Sequence, residues 1–253
     1  NLKGITYIFI TMLTSSCIPN YYSPAKQNVM PFDGKGDVTV SATIGTLGEI
    51  GTDVGWSITD NVGVYSSFNY IDISNFENTH YSPNDFIWDN EVVFYKWIKN
   101  HLYAGANVGV GIGKIGMQHP YYDLKLTRQY IQPTFGIKIL DPFILAISFR
   151  VSRVDFNLKS AYLSNSEYDE ELFRRYFFLG DIGTSDFYFF EPAFTWGFNS
   201  EFMKYRFQLS LATQLNKSDI NYRVGLLSAS AALNIDKLIF HPYDRTKKLR
   251  WKL

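Results

Sequence analysis

From Gly36 onward the sequence alternates apolar and polar residues with period two, and the face opposite the apolar one is mostly Gly, Ser, Thr and Asn. Period two sets successive side chains on opposite faces of a strand. A soluble barrel or sandwich turns its apolar face inward and shows water a charged exterior. Small uncharged residues make a poor soluble exterior but a suitable lining for a lumen. The chain also carries 21 Phe, 18 Tyr and 5 Trp in 253 residues, at a mean hydropathy of -0.12. No apolar run approaches the roughly 20 residues that cross a bilayer as a helix. The pattern therefore predicts an all-β fold, a transmembrane antiparallel up-and-down β-barrel.

The strand sets predict about ten strands, with eight and twelve as the neighbouring even counts. Val38, Val40, Ala42 and Ile44 share a face, as do Ile50, Val54, Trp56 and Ile58. Val62, Val64, Phe68 and Tyr70 follow, then Val93, Tyr95 and Trp97, then even positions from Leu102 to Ile112. Ile131, Phe135 and Ile137 precede the odd positions Phe143 to Val151. The last sets are Phe190 to Phe198, Tyr205 to Leu211, and Tyr222, Val224 and Leu226. Each is near the 9–11 residues, roughly, of a tilted spanning strand. Connections near 59–61, 98–101, 139–142 and 200–202 are tight, while longer links are expected at 73–86, 117–127 and 157–186. Short turns on one side and long loops on the other are the habit of outer-membrane barrels, with the turns periplasmic. Aromatic belts are expected from Trp56, Trp97, Phe198 and Tyr205 near the turns, and from Tyr70, Trp88, Tyr130 and Tyr222 near the loops.

Before the alternation, Lys3 and the apolar stretch Ile5–Leu13 precede Thr14-Ser15-Ser16-Cys17, a basic, apolar, small-residue order that predicts an export signal over 1–16. Cys17 sits where a lipoprotein signal places its acylated cysteine, although the leucine lies one position further away than in the strict lipobox. Residues 17–35 predict a periplasmic tether, 36–235 the barrel, and 236–253 a basic periplasmic tail ending Lys247-Lys248-Leu249-Arg250-Trp251-Lys252-Leu253. Both termini are then periplasmic.

Cys17, Pro19-Asn20-Tyr21-Tyr22-Ser23-Pro24, Asn28-Val29 and Gly36-Asp37-Val38-Thr39-Val40-Ser41-Ala42 resemble the opening of lipid-anchored outer-membrane barrel proteins of Bacteroidota. Ser57-Ile58-Thr59-Asp60-Asn61-Val62-Gly63-Val64 is similar to the first hairpin turn of that group. The resemblance covers about the first 75 residues. It implies location and fold and brings no activity.

A formal net charge of zero argues against a nucleic-acid partner, and one cysteine with four scattered histidines supplies neither disulfide framework nor zinc cluster. No cofactor or metal is expected. Charges predicted to face the lumen are Asp53 and Glu191 against Lys138, Arg150, Arg206 and Arg223, a paired plug or a narrow polar conduit. Gly105, Gly109, Gly111, Gly113 and Gly116, read within one strand, suit a strand beside a crowded lumen better than a nucleotide loop. In the longest loop, Tyr168, Leu172, Phe173, Tyr176, Phe177 and Phe178 form a candidate partner-contact surface. His80 with Asp72 and Asp85, and His119 with Asp123, offer carboxylate–histidine sets of the kind omptin proteases use, but no flanking motif matches. The resulting expectation is a non-enzymatic outer-membrane lipoprotein, a structural or accessory subunit beside a protein partner. A narrow channel or small-ligand binder using the lumen charges is the first alternative, and a loop-borne hydrolase the second.

Overall fold

The structure, a computed structural model, describes residues 22–29, 32–72, 84–98, 101–118, 121–140, 142–162, 185–200, 202–216, 220, 222 and 224–236. Strands β1 (Val38–Gly45), β2 (Glu49–Ser57), β3 (Val62–Asp72), β4 (Asn84–Ile98), β5 (Leu102–Gln118), β6 (Tyr121–Leu140), β7 (Phe143–Tyr162) and β8 (Phe187–Asn199) pair antiparallel in sequence order. β9 (Met203–Leu211) and β10 (Thr213–Gln214) both pair with β8 and form one stave interrupted at Ala212. β11 (Gly225–Asn234) pairs with β9 on one side and β1 on the other, closing a ten-stave barrel. Closure leaves no unpaired strand edge, which is what allows a sheet to sit in lipid.

Burial is inverted relative to a soluble protein. Outward residues such as Val54, Trp56, Phe94, Val110, Phe135, Ile147 and Phe207 are exposed, whereas Asp53, Glu91, Gln132, Arg150, Glu191 and Gln208 are buried. The chain thus folds as an outer-membrane-type β-barrel. The strands β4 to β7 depart from the expected length, running 15, 17, 20 and 20 residues. The longer link expected at 117–127 is mostly strand, because β5 and β6 continue to Gln118 and from Tyr121.

Beyond the lipid-facing band the polarity reverses. On β6 the outward positions change from Ile131, Phe135 and Ile137 to Gln129, Thr127 and Lys125, while the inward ones change from Gln132 and Arg128 to Leu126 and Leu124. On β7, outward Ile147 and Val151 give way to Arg153, Asp155 and Asn157, and inward Ser148 and Ser152 give way to Val154 and Phe156. Val151 pairs with Ile131 and Arg153 with Gln129, so the two switches lie at one level. Above that level the barrel has a soluble-type wall around an apolar core of Ile115, Leu124, Leu126, Val154, Phe156, Phe187 and Phe189.

Two faces differ from the expectation. Val93, Tyr95 and Trp97 of β4 point to the interior, and Val92 and Phe94 are the exposed pair. The last strand begins at Gly225, with Leu226 buried and Leu227 outside, so the set Tyr222, Val224 and Leu226 does not share one face. Of the expected belt residues, Trp56, Trp88, Phe198 and Tyr205 are exposed, whereas Tyr130 is buried and Trp97 and Tyr222 pack against interior clusters.

The part of the 17–35 tether that is described enters the barrel. Tyr22, Ala25, Gln27, Val29 and Phe32 are all buried, and their contacts are with inward faces of the staves. A periplasmic tether would leave these side chains in water.

Candidate functional site

The lumen wall is built from small inward residues, among them Ser41, Thr43, Ser67, Ser148, Ser152, Thr195, Ser210 and Ser228. About eight strands give an interior just wide enough to be filled by wall side chains, and the diameter grows with each further strand. Here the short side chains leave a bore, and the N-terminal strap, described at residues 22–29, Phe32 and Asp33, fills it.

At the tight-turn end Phe32 stacks on Tyr65 with ring centroids 4.8 Å apart and lies 5.9 Å from Tyr95. Gly63 permits that approach, since a Cβ there would stand 2.2 Å from the Phe32 ring. Trp97 Nε1 donates to the Phe32 carbonyl at 3.2 Å, the Tyr103 hydroxyl donates to the Val29 carbonyl, and Lys204 pairs with Asp33 at 3.3 Å.

Midway, the strap's polar groups are matched one by one. Asn28 Nδ2 donates to Ser67 Oγ at 3.0 Å and Glu91 Oε1 at 2.8 Å, and the Asn28 carbonyl accepts from Asn107 and Gln132. The Gln208 carboxamide pairs with both backbone groups of Gln27, accepting from its N–H at 2.7 Å and donating to its C=O at 3.0 Å. One side chain thus does for a lone extended segment what a neighbouring strand does in a sheet. The Gln27 amide donates to the Glu191 carbonyl at 2.8 Å and accepts from Ser148 Oγ at 2.6 Å. Lys26 forms an ion pair with Asp53, the side chains being 10% and 6% exposed, and also donates to Ser41 and Thr43.

At the long-loop end the Tyr22 hydroxyl donates to Glu191 Oε1 at 2.6 Å and accepts from Arg128 Nη1 at 3.1 Å. Its ring stacks on Phe189 at 4.0 Å, and its backbone bridges to Tyr222. Arg128 in turn pairs with Asp89. Arg150 stands 3.8 Å from Glu191, donates twice to Gln132 Oε1, and lies over the Tyr130 ring at 4.4 Å. The Tyr130 ring rests in the place a side chain on Gly109 would take, a Cβ there standing 2.2 Å from it. Beside the strap a cavity of about 60 Å³ remains, lined partly by Lys26, Asp53, Lys204, Arg206 and Gln208, with room for a few waters.

Of the expected lumen charges, Asp53, Glu191, Arg150 and Arg206 are buried inside. Asp53 is neutralised by Lys26, a strap residue, and Arg206 donates to the carbonyls of Phe198 and Tyr205 and to Asn199 Oδ1 near the β8–β9 turn. Lys138 is half-buried near the end of β6, where its N–H donates to the His101 carbonyl at 2.7 Å. Arg223, Cys17, His80, His119, and the loop residues Tyr168, Leu172, Phe173, Tyr176, Phe177 and Phe178 lie outside the described residues. The side chains of Asp72, Asp85 and Asp123 do so too. Sequence reasoning missed Lys26, Asp89, Glu91, Arg128 and Lys204. Asp89 and Glu91 carried a usable signal, because they stand at even spacing from Val93 and Tyr95 on one face of β4.

No protein-family model and no curated protein matches the chain. Among solved structures it is similar to the outer membrane protease OmpT from Escherichia coli, at 9% identity over 82% of this chain and 96% of that one, with a TM-score of 0.39. It is also similar to OmpT, an outer membrane protein of Vibrio cholerae. A loop L8 deletion mutant gives 9% identity over 78% and 97% of the two chains at a TM-score of 0.27. The in-vitro folded form gives 8% over 82% and 99% at 0.26. At such scores a likeness brings no residue, substrate or partner to this chain. The expectation of a chain without catalytic activity is withdrawn.

Proposed function

We propose that the protein is an outer-membrane barrel whose lumen charges bind a peptide, its own N-terminal strap, and that this binding seals a narrow polar bore. The observation that carries the reading is the match between wall and strap. Gln208, Gln132, Asn107, Ser148 and Asp53 are spent on the backbone and side chains of Lys26, Gln27 and Asn28. A wall meant solely for rigidity is filled more simply by its own large side chains. The bonds holding the strap are polar and non-covalent, so water can replace each one, and loosening the strap opens the bore to ions.

Planar-bilayer recording tests this. The full chain is expected to be silent, and the Lys26→Ala, Asn28→Ala variant to show discrete openings. A wild-type protein that conducts steadily, or a doubly substituted one that stays silent, overturns the reading.

A further inference from the structure

The strap's contacts are ordered along the barrel axis. Phe32 lies against Gly63, Tyr65 and Tyr95, beside the β2–β3 turn, and Val29 against Tyr103, Ile144 and Ala146 at the same end. Asn28, Gln27 and Lys26 meet mid-strand residues: Glu91, Asn107, Gln132, Ser148 and Asp53. Tyr22 meets Phe189 and Tyr222, and joins the apolar core above the lipid-facing band. The sequence thus moves without reversal from the tight-turn mouth at Phe32 to the long-loop mouth at Tyr22. The ten residue-to-residue steps from Tyr22 to Phe32 span at most about 33–36 Å when extended, and the apolar band of such barrels is about 25 Å tall. The strap is long enough to cross it once and too short to cross and return.

Among the described residues the bore beside the strap holds no space for a second pass. The cavity beside the strap is about 60 Å³, room for a few waters and far too little for a second pass of polypeptide. The wall around Tyr22 is equally filled, by Phe189, Arg128, Glu191, Leu124 and Phe156.

We infer that the barrel carries its own N-terminal segment across the membrane, so that the residues preceding Tyr22 are presented at the long-loop mouth, opposite to the start of β1. In barrels of this type that mouth faces the cell exterior. The strap is then an eleventh, internal crossing. This places the chain before Tyr22 on the opposite side from the periplasmic tether that the sequence pattern suggests. The inference rests on the strap being seated in the bore and not on the bore's conducting when the strap is loosened.

A sequence-specific protease, added outside intact cells making the full chain, tests it. Its recognition site is inserted between Pro19 and Asn20, or as controls within the 163–184 loop or the Asp60–Asn61 turn. The N-terminal site is expected to be cut on intact cells to the same extent as the loop site, and the turn site to be cut after permeabilisation alone. An N-terminal site cut together with the turn site, or protected on both sides of the membrane, overturns the inference. If the insertion prevents folding, an antibody against residues 17–21 of the unaltered chain gives the same comparison of intact and permeabilised cells. Failure here with conductance behaving as expected would refute the threading direction and leave the sealing role standing. The reverse pattern would refute the seal alone.

Discussion

Replacing Lys26 by Met removes one charge from a buried pair while keeping most of the aliphatic stem. In the wild type the ammonium meets Asp53 and donates to Thr43 at 3.1 Å and Ser41 at 3.3 Å. Without it the Asp53 carboxylate keeps the Ser41 hydroxyl as a donor, in a site where its side chain is 6% exposed. Breaking a buried pair by removing one partner costs about 3–5 kcal/mol, because the remaining charge is left uncompensated. The full cost is not reached if the strap lifts away and lets water to Asp53, so the loss is capped by the free energy of strap detachment. Asp53→Asn alone strands the ammonium and is expected to cost a comparable amount. The double variant, Lys26→Met with Asp53→Asn, removes both charges and should return to within about 1–2 kcal/mol of the wild type, since an apolar or neutral pair of similar volume is often as stable as the ions. Equilibrium urea unfolding in lipid vesicles, followed by tryptophan fluorescence, gives the cycle. Hydrogen exchange at the Gln27 amide reports strap detachment directly. If Lys26→Met is within about 0.5 kcal/mol of wild type and Gln27 exchange is unchanged, the strap is not held by its charge and the argument fails.

Three further outcomes are expected. Gly63→Ala drives a methyl into the Phe32 ring and should destabilise the barrel by about 1–3 kcal/mol, with Phe32→Leu in the same chain recovering part of the loss in the same unfolding assay. Phe207→Arg, on an outward position 45% exposed, should cost about 2–4 kcal/mol in lipid vesicles if that face meets the bilayer core, and an unchanged midpoint would remove Phe207 from the lipid face. Burial and the neighbouring Asp33 carboxylate raise the pKa of Asp37, which sits before β1 and accepts from the Asp33 and Gly34 N–H groups. A raised carboxyl pKa means the folded state holds the proton more tightly. That contribution is present below the unfolded value of about 3.9 and is lost as pH rises through the folded value. Asp37→Asn should therefore flatten the stability profile just above pH 4, roughly, and a slope identical to wild type would refute the assignment.

The staves were readable because period two survives wherever one face meets lipid. Ile50, Val54 and Trp56 are all exposed while Gly51, Asp53 and Gly55 are buried, as the alternation implies. On β4 the pattern was ambiguous, since near the turns the lumen holds Phe32 and so demands Val93 and Tyr95 on its inner face. Both faces are apolar there, and period alone cannot tell them apart. The strap was hidden for a different reason. A lone extended segment surrounded by wall on every side has no apolar face, because each residue is matched by a different stave. Lys26, Gln27 and Asn28 then read as an ordinary polar linker. The half of the ion network on Asp53 and Glu191 was legible by parity, but its partners Lys26 and Tyr22 lie in a segment whose position no periodicity reports.

The position of the strap in the chain also bears on assembly. It leads directly into β1, and β1 with β11 is where the barrel closes on itself. In a bore already closed, the strap would have to be threaded end-first past Tyr65, Tyr103, Gln208 and Arg128, the side chains that grip it along its length. Wrapping the staves around a segment already in place avoids that threading, and the expected order is seating first, then the joining of Thr39 to Asn234 through Gly45 to Ser228. The strap is in that sense a mandrel, and a substitution that spoils its fit would slow closure of the β1–β11 joint before it altered any property of the finished barrel.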